Sequence, residues 1–360
     1  MAAQEIVITA PRLESAIEVI VAKGGSEPRE AGLVAGNLIE ANLTGHDSHG
    51  VGMIPRYVKS LLEGGLRINQ HPKIVLDTGA LLRLDGQAGY GQVIGLEAMT
   101  LGIERAQRHG VCVVGTANSH HLGRIGHWAE QCIAAGLVSL HFVNVISRPI
   151  VAPWGGRDPR FGTNPVCIGI PRPDGEPVVL DFATSRIAQG KTRVAHNQGK
   201  RLEPGTVIDD KGEPTTDPRY SVIPPFGAIM PFGEHKGSGL ALVCELLGGA
   251  LTGSGTQRVP DEGKMRVLNG MLSIIIDPSA MGTAESLVAE AEAFIAWEKA
   301  SPPAAGVDRV MIAGDPERAR RKERLATGIA VDATTWEEIL NAAESLKLSR
   351  ADVRKLAGLA

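Results

Sequence analysis

Residues 89–95 run Gly89-Tyr90-Gly91-Gln92-Val93-Ile94-Gly95, joining a strand-like segment, Leu81 to Leu84, to a helix-like one from about Gln92 to His109. A glycine-rich turn in that place is where a Rossmann fold carries its dinucleotide fingerprint. Here the third glycine comes one position late for G-x-G-x-x-G. The fingerprint also wants an early β-α-β unit and an acid about 20 residues further on, where this chain has Arg108 and His109. The stretch reads as a glycine-rich turn rather than a phosphate cradle. Gly190-Lys191-Thr192 likewise ends like a P-loop, yet Ser185 stands where the first glycine of that motif is required.

Working outward from the turn, the N-terminal third reads as helical. Leu13, Ile17, Ile20 and Val21 share one face of a helix opened by Thr9 and Pro11 and closed by Gly24-Gly25. A second helix runs from about Pro28 to Leu43, and a short one carries Val58, Leu61 and Leu62. Past the turn, 111–115 reads as a buried strand, and Ile125, Trp128, Ala129, Cys132 and Ile133 form one face of a helix ended by Gly136. Strands are expected at 137–145, 178–182 and 271–276, and a long surface excursion over 196–226. Towards the C-terminus, Leu240, Val243, Cys244, Leu247 and Leu251 share a helix face. A helix from Thr283 is expected to turn Ala291 and Phe294 inward, and Thr335 with Glu338 reads as a capping box. The class is α+β, with helices at both ends around a central sheet.

Composition narrows the function. The 360 residues are 43 % hydrophobic and 21 % charged, which excludes an intrinsically disordered chain. A net charge of −3 and 4 % aromatics argue against nucleic acid as a partner. Cys112, Cys132, Cys167 and Cys244 form no C-x-x-C pair, so reduced thiols are expected. No secretory signal follows Met1 and no apolar run spans a bilayer, so a cytoplasmic protein is expected, with no membrane partner.

Five of the ten histidines sit in two polar runs: His46 and His49 in GHDSHG, and His120, His121 and His127 in NSHHLGRIGH. Imidazole titrates near working pH, so histidines clustered beside glycines suit proton transfer. A metal reading also exists, but no H-E-x-x-H occurs and the spacing matches no defined zinc set, so no metal is expected. Asp181 ends a strand-like segment, where a carboxylate either caps the following turn or orients a histidine.

These blocks together are familiar. GHDSHGVGMIPRYV (45–58), NSHHLGRIGHWAE (118–130), the GG…FGTNP run (155–165), LDFATSRIAQGKTRV (180–194) and EHKGSGLALVCELLGGALTG (234–253) resemble the type-2 malate/L-lactate dehydrogenase family, in order and over nearly the whole chain. The resemblance implies a non-Rossmann fold: a helical domain from both termini (1–78 and 255–360) on a central, mostly antiparallel sheet domain (79–254) that holds the cofactor cleft. It implies an NADH- or NADPH-dependent enzyme reducing 2-oxo acids to 2-hydroxy acids and the reverse, working as a homodimer. By the same resemblance His49, following Ser48, is the general acid, with His121 and Asp181 beside it. Gly123, Arg124 and Ile125 would line the cofactor, as would Leu180, Asp181, Phe182, Ala183 and Thr184. His235, Lys236, Asn269 and the turn Gly314, Asp315, Pro316, Glu317 complete that set.

One departure bears on substrate. Many members carry an arginine four residues after the catalytic histidine, and this chain has Met53 there, with Arg56 three residues out of register. Carboxylate recognition must then come from elsewhere, and Met53 leaves room for a larger or more apolar 2-oxo acid. Arg186, Lys191 and Arg193 could meet a 2′-phosphate or simply be a solvated loop. Reduction of a cyclic imine acid is the alternative within the class. Outside it stand a metal-dependent hydrolase or lyase using the histidine clusters and a catalytically silent binding protein.

Overall fold

The computed structural model of the chain describes residues 5–173, 175–258 and 263–359; residues 1–4, part of the segment read above for a signal, lie outside them. A short strand β1 (Glu5–Ile8) leads into α1 (Ala10–Lys23), which starts after Thr9 with Pro11 in its first turn, and α2 (Pro28–Leu43). Two single 3-10 turns, Asp47–His49 and Val51–Met53, precede α3 (Ile54–Leu62). Then come β2 (Lys73–Asp77), β3 (Leu81–Asp85), α4 (Gly91–His109), β4 (Val111–His120), α5 (Gly126–Ala134) and β5 (Val138–Ile146). The middle continues with β6 (Val166–Ile170), β7 (Val178–Phe182), α6 (Gln189–Asn197), β8 (Val207–Ile208) and β9 (Pro214–Thr215). After α7 (Arg219–Val222) and β10 (Ala228–Ile229), α8 (His235–Cys244) runs on into a π-helical segment, Glu245–Leu251. The chain closes with β11 (Leu268–Ile276), α9 (Ala284–Lys299), α10 (Asp315–Thr327), β12 (Ile329–Asp332), α11 (Ala333–Ser345) and α12 (Arg350–Leu356).

Seven strands form one sheet in the order β2-β3-β4-β11-β5-β6-β7. Of its six described neighbouring pairs, five are antiparallel and one, β3 with β4, is parallel, the crossover being α4. The glycines of 89–95 serve that crossover. A Cβ on Gly91 would lie 2.2 Å from the His121 carbonyl oxygen, and one on Gly95 would lie 2.5 Å from the Trp128 ring. They allow α4 to press against the end of β4 and against α5.

Two large cores hold most of the buried apolar residues described. One collects Leu13, Ile17, Leu38, Tyr57, Trp336 and Leu340 from α1, α2, α3 and α11. The other lies under the large sheet, around Leu84, Val114, Trp128, Met271 and Ile275. β1 pairs antiparallel with β12, which ties the two ends of the chain together. No described helix is long and apolar enough to cross a membrane.

Four expectations need correction. The excursion over 196–226 has structure of its own: β8, β9 and β10 make a three-stranded sheet whose small core holds Leu202, Val207 and Ile229. In α8 and its π-helical continuation the expected face is split: Val243 and Leu251 are 38 % and 62 % exposed and Leu240 and Leu247 half-buried, while of its members only Cys244 is buried, beside Ala241, Gly248 and Gly249. Backbone contact explains the small residues on the buried side, since a Cβ on Gly248 would meet the Phe142 carbonyl oxygen at 2.7 Å. No residue of α9 is buried, and Phe294 is 60 % exposed. The cap of α11 is Asp332, whose Oδ1 accepts from the Thr335 N–H at 2.9 Å, so Thr335 does not head the helix. The expected domain boundary at 255 also separates β11 from the sheet in which it is the central strand.

Candidate active site

The polar run 45–50 is braced from two helices. Asn42 of α2 donates from Nδ2 to Asp47 Oδ1 at 2.6 Å, and its Oδ1 accepts from the Val51 N–H at 2.8 Å. A Cβ on Gly50 would fall 2.2 Å from that Asn42 oxygen, which accounts for the glycine. Arg324 of α10 grips Asp47 with both terminal nitrogens, at 2.6 and 3.0 Å. The turn so fixed puts Ser48 Oγ 3.0 Å from His49 Nδ1, leaving Nε2 as the imidazole nitrogen free to act. His49 stacks on His121, ring centroids 5.5 Å apart and planes 9° from parallel, and both rings line a cleft of about 900 Å³.

His121 follows directly on β4, and its Nδ1 lies 2.7 Å from the Tyr57 hydroxyl. Gln92 Nε2 donates to that hydroxyl at 3.1 Å. Burial lowers the His49 pKa from 6.5 to about 4, helped by the charges of His46 and Arg124. Burial, then His49 and His120, hold His121 well below its ordinary value too. His120 points the other way: it is wholly buried, edge-on to Tyr57, and neither ring nitrogen has a protein partner among the described residues.

Gly123, Arg124 and Ile125 turn from β4 into α5 and line the cleft. Gly123 has φ +73°, and a Cβ there would meet Asn37 Oδ1 at 2.6 Å. Asp181, at the end of β7, accepts from the Gly126 N–H at 2.7 Å, so it caps the start of α5 and not the turn that follows its own strand. Burial raises its pKa, against the pull of His46 and Arg124. Arg124 is 2 % exposed and pairs with Glu130, while its Nε and Nη1 have no protein partner among the described residues. Asn269 of β11 accepts the Leu122 N–H at 2.9 Å, and Glu317 lies 3.3 Å from His46 Nε2. A smaller adjoining cleft of about 260 Å³ shares Arg124, Asp181 and Glu317 and adds Gly314.

Ser48, His49, His121, Gly123, Arg124, Ile125, Asp181, Phe182, Ala183, Asn269, Pro316 and Glu317 therefore share one cleft. Others of the expected set lie off its wall. Leu180 is 41 % exposed, Thr184 is buried and donates to the Thr163 carbonyl, and Asp315 pairs with Lys299 and Arg318. His235 and Lys236 open α8 on the exposed surface. The sequence reading passed over Tyr57, Gln92 and Asn42. Tyr57 was within reach of it, because positions 53, 56 and 57 fall on one face of α3 and its lead-in turn.

The chain belongs to the malate/L-lactate dehydrogenase family, whose model matches residues 8–340, and that is a family of oxidoreductases. It is 50 % identical to hydroxycarboxylate dehydrogenase B of Escherichia coli strain K12 over 94 % of this chain and 93 % of that protein. A solved Escherichia coli chain of malate/lactate dehydrogenase type superposes with TM-score 0.94 at 47 % identity, covering 98 % of this chain and 99 % of the other. The structure of Δ1-piperideine-2-carboxylate reductase from Pseudomonas syringae matches with TM-score 0.82 at 32 % identity, over 94 % and 99 %.

Proposed function

We propose that this protein interconverts 2-oxo acids and 2-hydroxy acids with NADH or NADPH, His49 giving the proton to the carbonyl oxygen during reduction. The observation that carries the reading is the stacked His49–His121 pair on the wall of a cleft that also presents the buried guanidinium of Arg124, two of whose nitrogens have no protein partner among the described residues. The residues fit a dinucleotide: two nitrogens of the buried Arg124 have no protein partner among the described residues and line the cleft, where an anionic group can meet them. Arg124, Ile125, Asp181 and Glu317 would hold that cofactor, which when bound supplies the hydride.

The chain's own groups do the rest. Ser48 fixes the His49 ring through Nδ1, so that Nε2 is the atom that exchanges the proton. With a pKa near 4 in the open cleft, His49 is neutral at pH 7. A carboxylate bound beside it favours the imidazolium, so proton and acid substrate enter together. Met53, 8 % exposed, gives the wall near the ring an apolar surface that helps exclude water. In the same reading the helices of the two ends form one domain and the sheet another, with the cleft where they meet. The chain works as a homodimer, for which bare Phe294 and Trp297 on α9, 60 % and 72 % exposed, are the support; sedimentation at the monomer mass would overturn that part.

The test follows absorbance at 340 nm with each nicotinamide against pyruvate, 2-oxoglutarate, phenylpyruvate and piperideine-2-carboxylate, with and without EDTA. Turnover of a 2-oxo acid that survives EDTA and falls about 10²–10⁴-fold in His49→Gln is the expected result. Turnover confined to the cyclic imine would move the substrate class towards that of the Pseudomonas reductase. No nicotinamide oxidation with any acceptor, or activity abolished by EDTA, would overturn the reading.

A further inference from the structure

Three glycines surround one wholly buried amide, that of Asn144 in β5. A Cβ on Gly249 would lie 2.5 Å from its Nδ2, one on Gly270 2.9 Å from its Oδ1, and one on Gly248 2.8 Å from its backbone nitrogen. Glycine at those places lets the π-helical segment and β11 close on Asn144, and short π-helical segments recur at functional sites. Both polar atoms of the amide are engaged. Nδ2 donates to the Gly255 carbonyl at 3.0 Å, with Glu245 Oε2 at 3.5 Å, and Oδ1 accepts from the Gly270 N–H at 2.9 Å. Glu245, itself buried, holds the loop that supplies Gly255. Its Oε2 accepts from the Gln257 N–H at 2.9 Å and its Oε1 from Asn164 Nδ2 at 2.8 Å.

These contacts fall where the sheet ladder is interrupted. Asn269 pairs with Ser119 and Met271 with Thr116, so β4 carries one residue too many opposite Gly270. A bulge of this kind re-aims the side chains beside it. Asn269 spans the break: its Nδ2 donates to the Asn144 carbonyl at 2.9 Å, and its Oδ1 accepts from the Leu122 N–H at 2.9 Å. Leu122 directly follows His121.

We propose that Asn144, anchored by Glu245, is a positioning residue of the active site: it pins Gly270 and the Asn269 amide, which in turn hold the His121–Leu122 peptide and so seat the His121 ring against His49. Neither Asn144 nor Glu245 lines the cleft, so both act through Asn269. A reacting group displaced by about 1 Å loses up to about 100-fold in rate, which is what this brace prevents. The inference rests on the oxidoreductase reading and adds to it the support of its second histidine.

The test is a double-mutant cycle read on kcat. Asn144→Ala should lower kcat about tenfold, with KM for the 2-oxo acid within about threefold of the parent. Asn269→Ala should lower kcat at least as far. The double variant should then match Asn269→Ala alone to within about twofold, because both changes remove one contact. A second readout needs no turnover: in Asn144→Ala the Leu122 N–H should lose about tenfold of its protection against hydrogen exchange, while Ile274, further along β11, keeps its own. If Asn144→Ala does not fold, Glu245→Gln, which keeps the shape and exchanges one acceptor for a donor, carries the same cycle with a loss of about threefold. Losses that multiply in the double variant, or a Leu122 N–H as protected in the single variant as in the parent, would overturn the proposal. If the parent reduces no 2-oxo acid, exchange at Leu122 still decides the positioning, and the oxidoreductase reading is what fails.

Discussion

Gln92 Nε2 donates to the Tyr57 hydroxyl, which leaves the hydroxyl's own proton for His121 Nδ1. That order, with the amide oriented by the network, puts the single proton of neutral His121 on Nε2, as a donor for a substrate oxygen. Tyr57 is thus a positioning residue acting through His121. In Tyr57→Phe the imidazole keeps its packing but loses the partner that fixes its tautomer. We expect kcat to fall about tenfold with KM within threefold, equivalent to roughly 1.4 kcal/mol of transition-state stabilisation. The acid limb of the pH profile should also move, because Nδ1 becomes free to take a proton. An unaltered kcat and pH profile would mean that the His121 orientation is set elsewhere. Clustering in short polar runs draws out His49 and His121 as candidates, whereas Asp181, at the end of the apolar run Val178–Phe182, is marked only as a cap or a histidine's partner and joins the set through the family resemblance. The sequence hides the bond between Tyr57 and Gln92, 35 residues apart in the chain, because nothing local marks a hydrogen bond between an aromatic on one helix and an amide on another, even where the aromatic itself shares a helix face with its neighbours in the cleft.

At the scale of elements, the same limit takes a different form. Periodicity found α1, α2, α4 and α5 with their ends, because in each the apolar stripe is the buried one and glycine or proline marks a boundary. It failed in α8 and the π-helical segment, where the buried face is built of Ala241, Gly248 and Gly249. Hydrophobic pattern reads apolar area and is blind to close backbone approach. It also missed β6, Val-Cys-Ile-Gly-Ile, a short apolar run without polar alternation in which even the less buried Ile168 and Ile170 are half-covered. The glycine face has a testable cost. A methyl group at 248 would meet the Phe142 carbonyl oxygen at 2.7 Å and the Asn144 nitrogen at 2.8 Å, both in β5. Gly248→Ala should therefore destabilise the protein by about 1–3 kcal/mol in chemical denaturation, despite alanine's better helix propensity. A neutral or stabilising outcome would show that the segment lifts off the strand without loss.

Over the whole molecule, the burial of histidines sets how stability depends on pH. His120 and His141 are fully buried, and burial lowers each from 6.5 to about 3; His49 falls to about 4. His141 lies between two hydroxyls, Ser273 Oγ at 2.8 Å from Nδ1 and Ser139 Oγ at 3.0 Å from Nε2. These groups stay neutral in the folded protein while the unfolded chain protonates them near 6.5, so between those limits the unfolded state binds more protons. Stability is fully present above about pH 6.5 and is lost as pH falls towards 3 to 4. Each wholly buried histidine should contribute a slope of about 1.4 kcal/mol per pH unit across the middle of that window. Urea unfolding at pH 7, 6 and 5 would measure it, and His141→Gln, which removes one titrating group while keeping an amide between the two serines, should flatten the slope by about one proton. Equal slopes in the parent and the variant would mean that His141 binds its proton as readily in the folded protein as in the unfolded chain, and that burial among two hydroxyls does not exclude the charge.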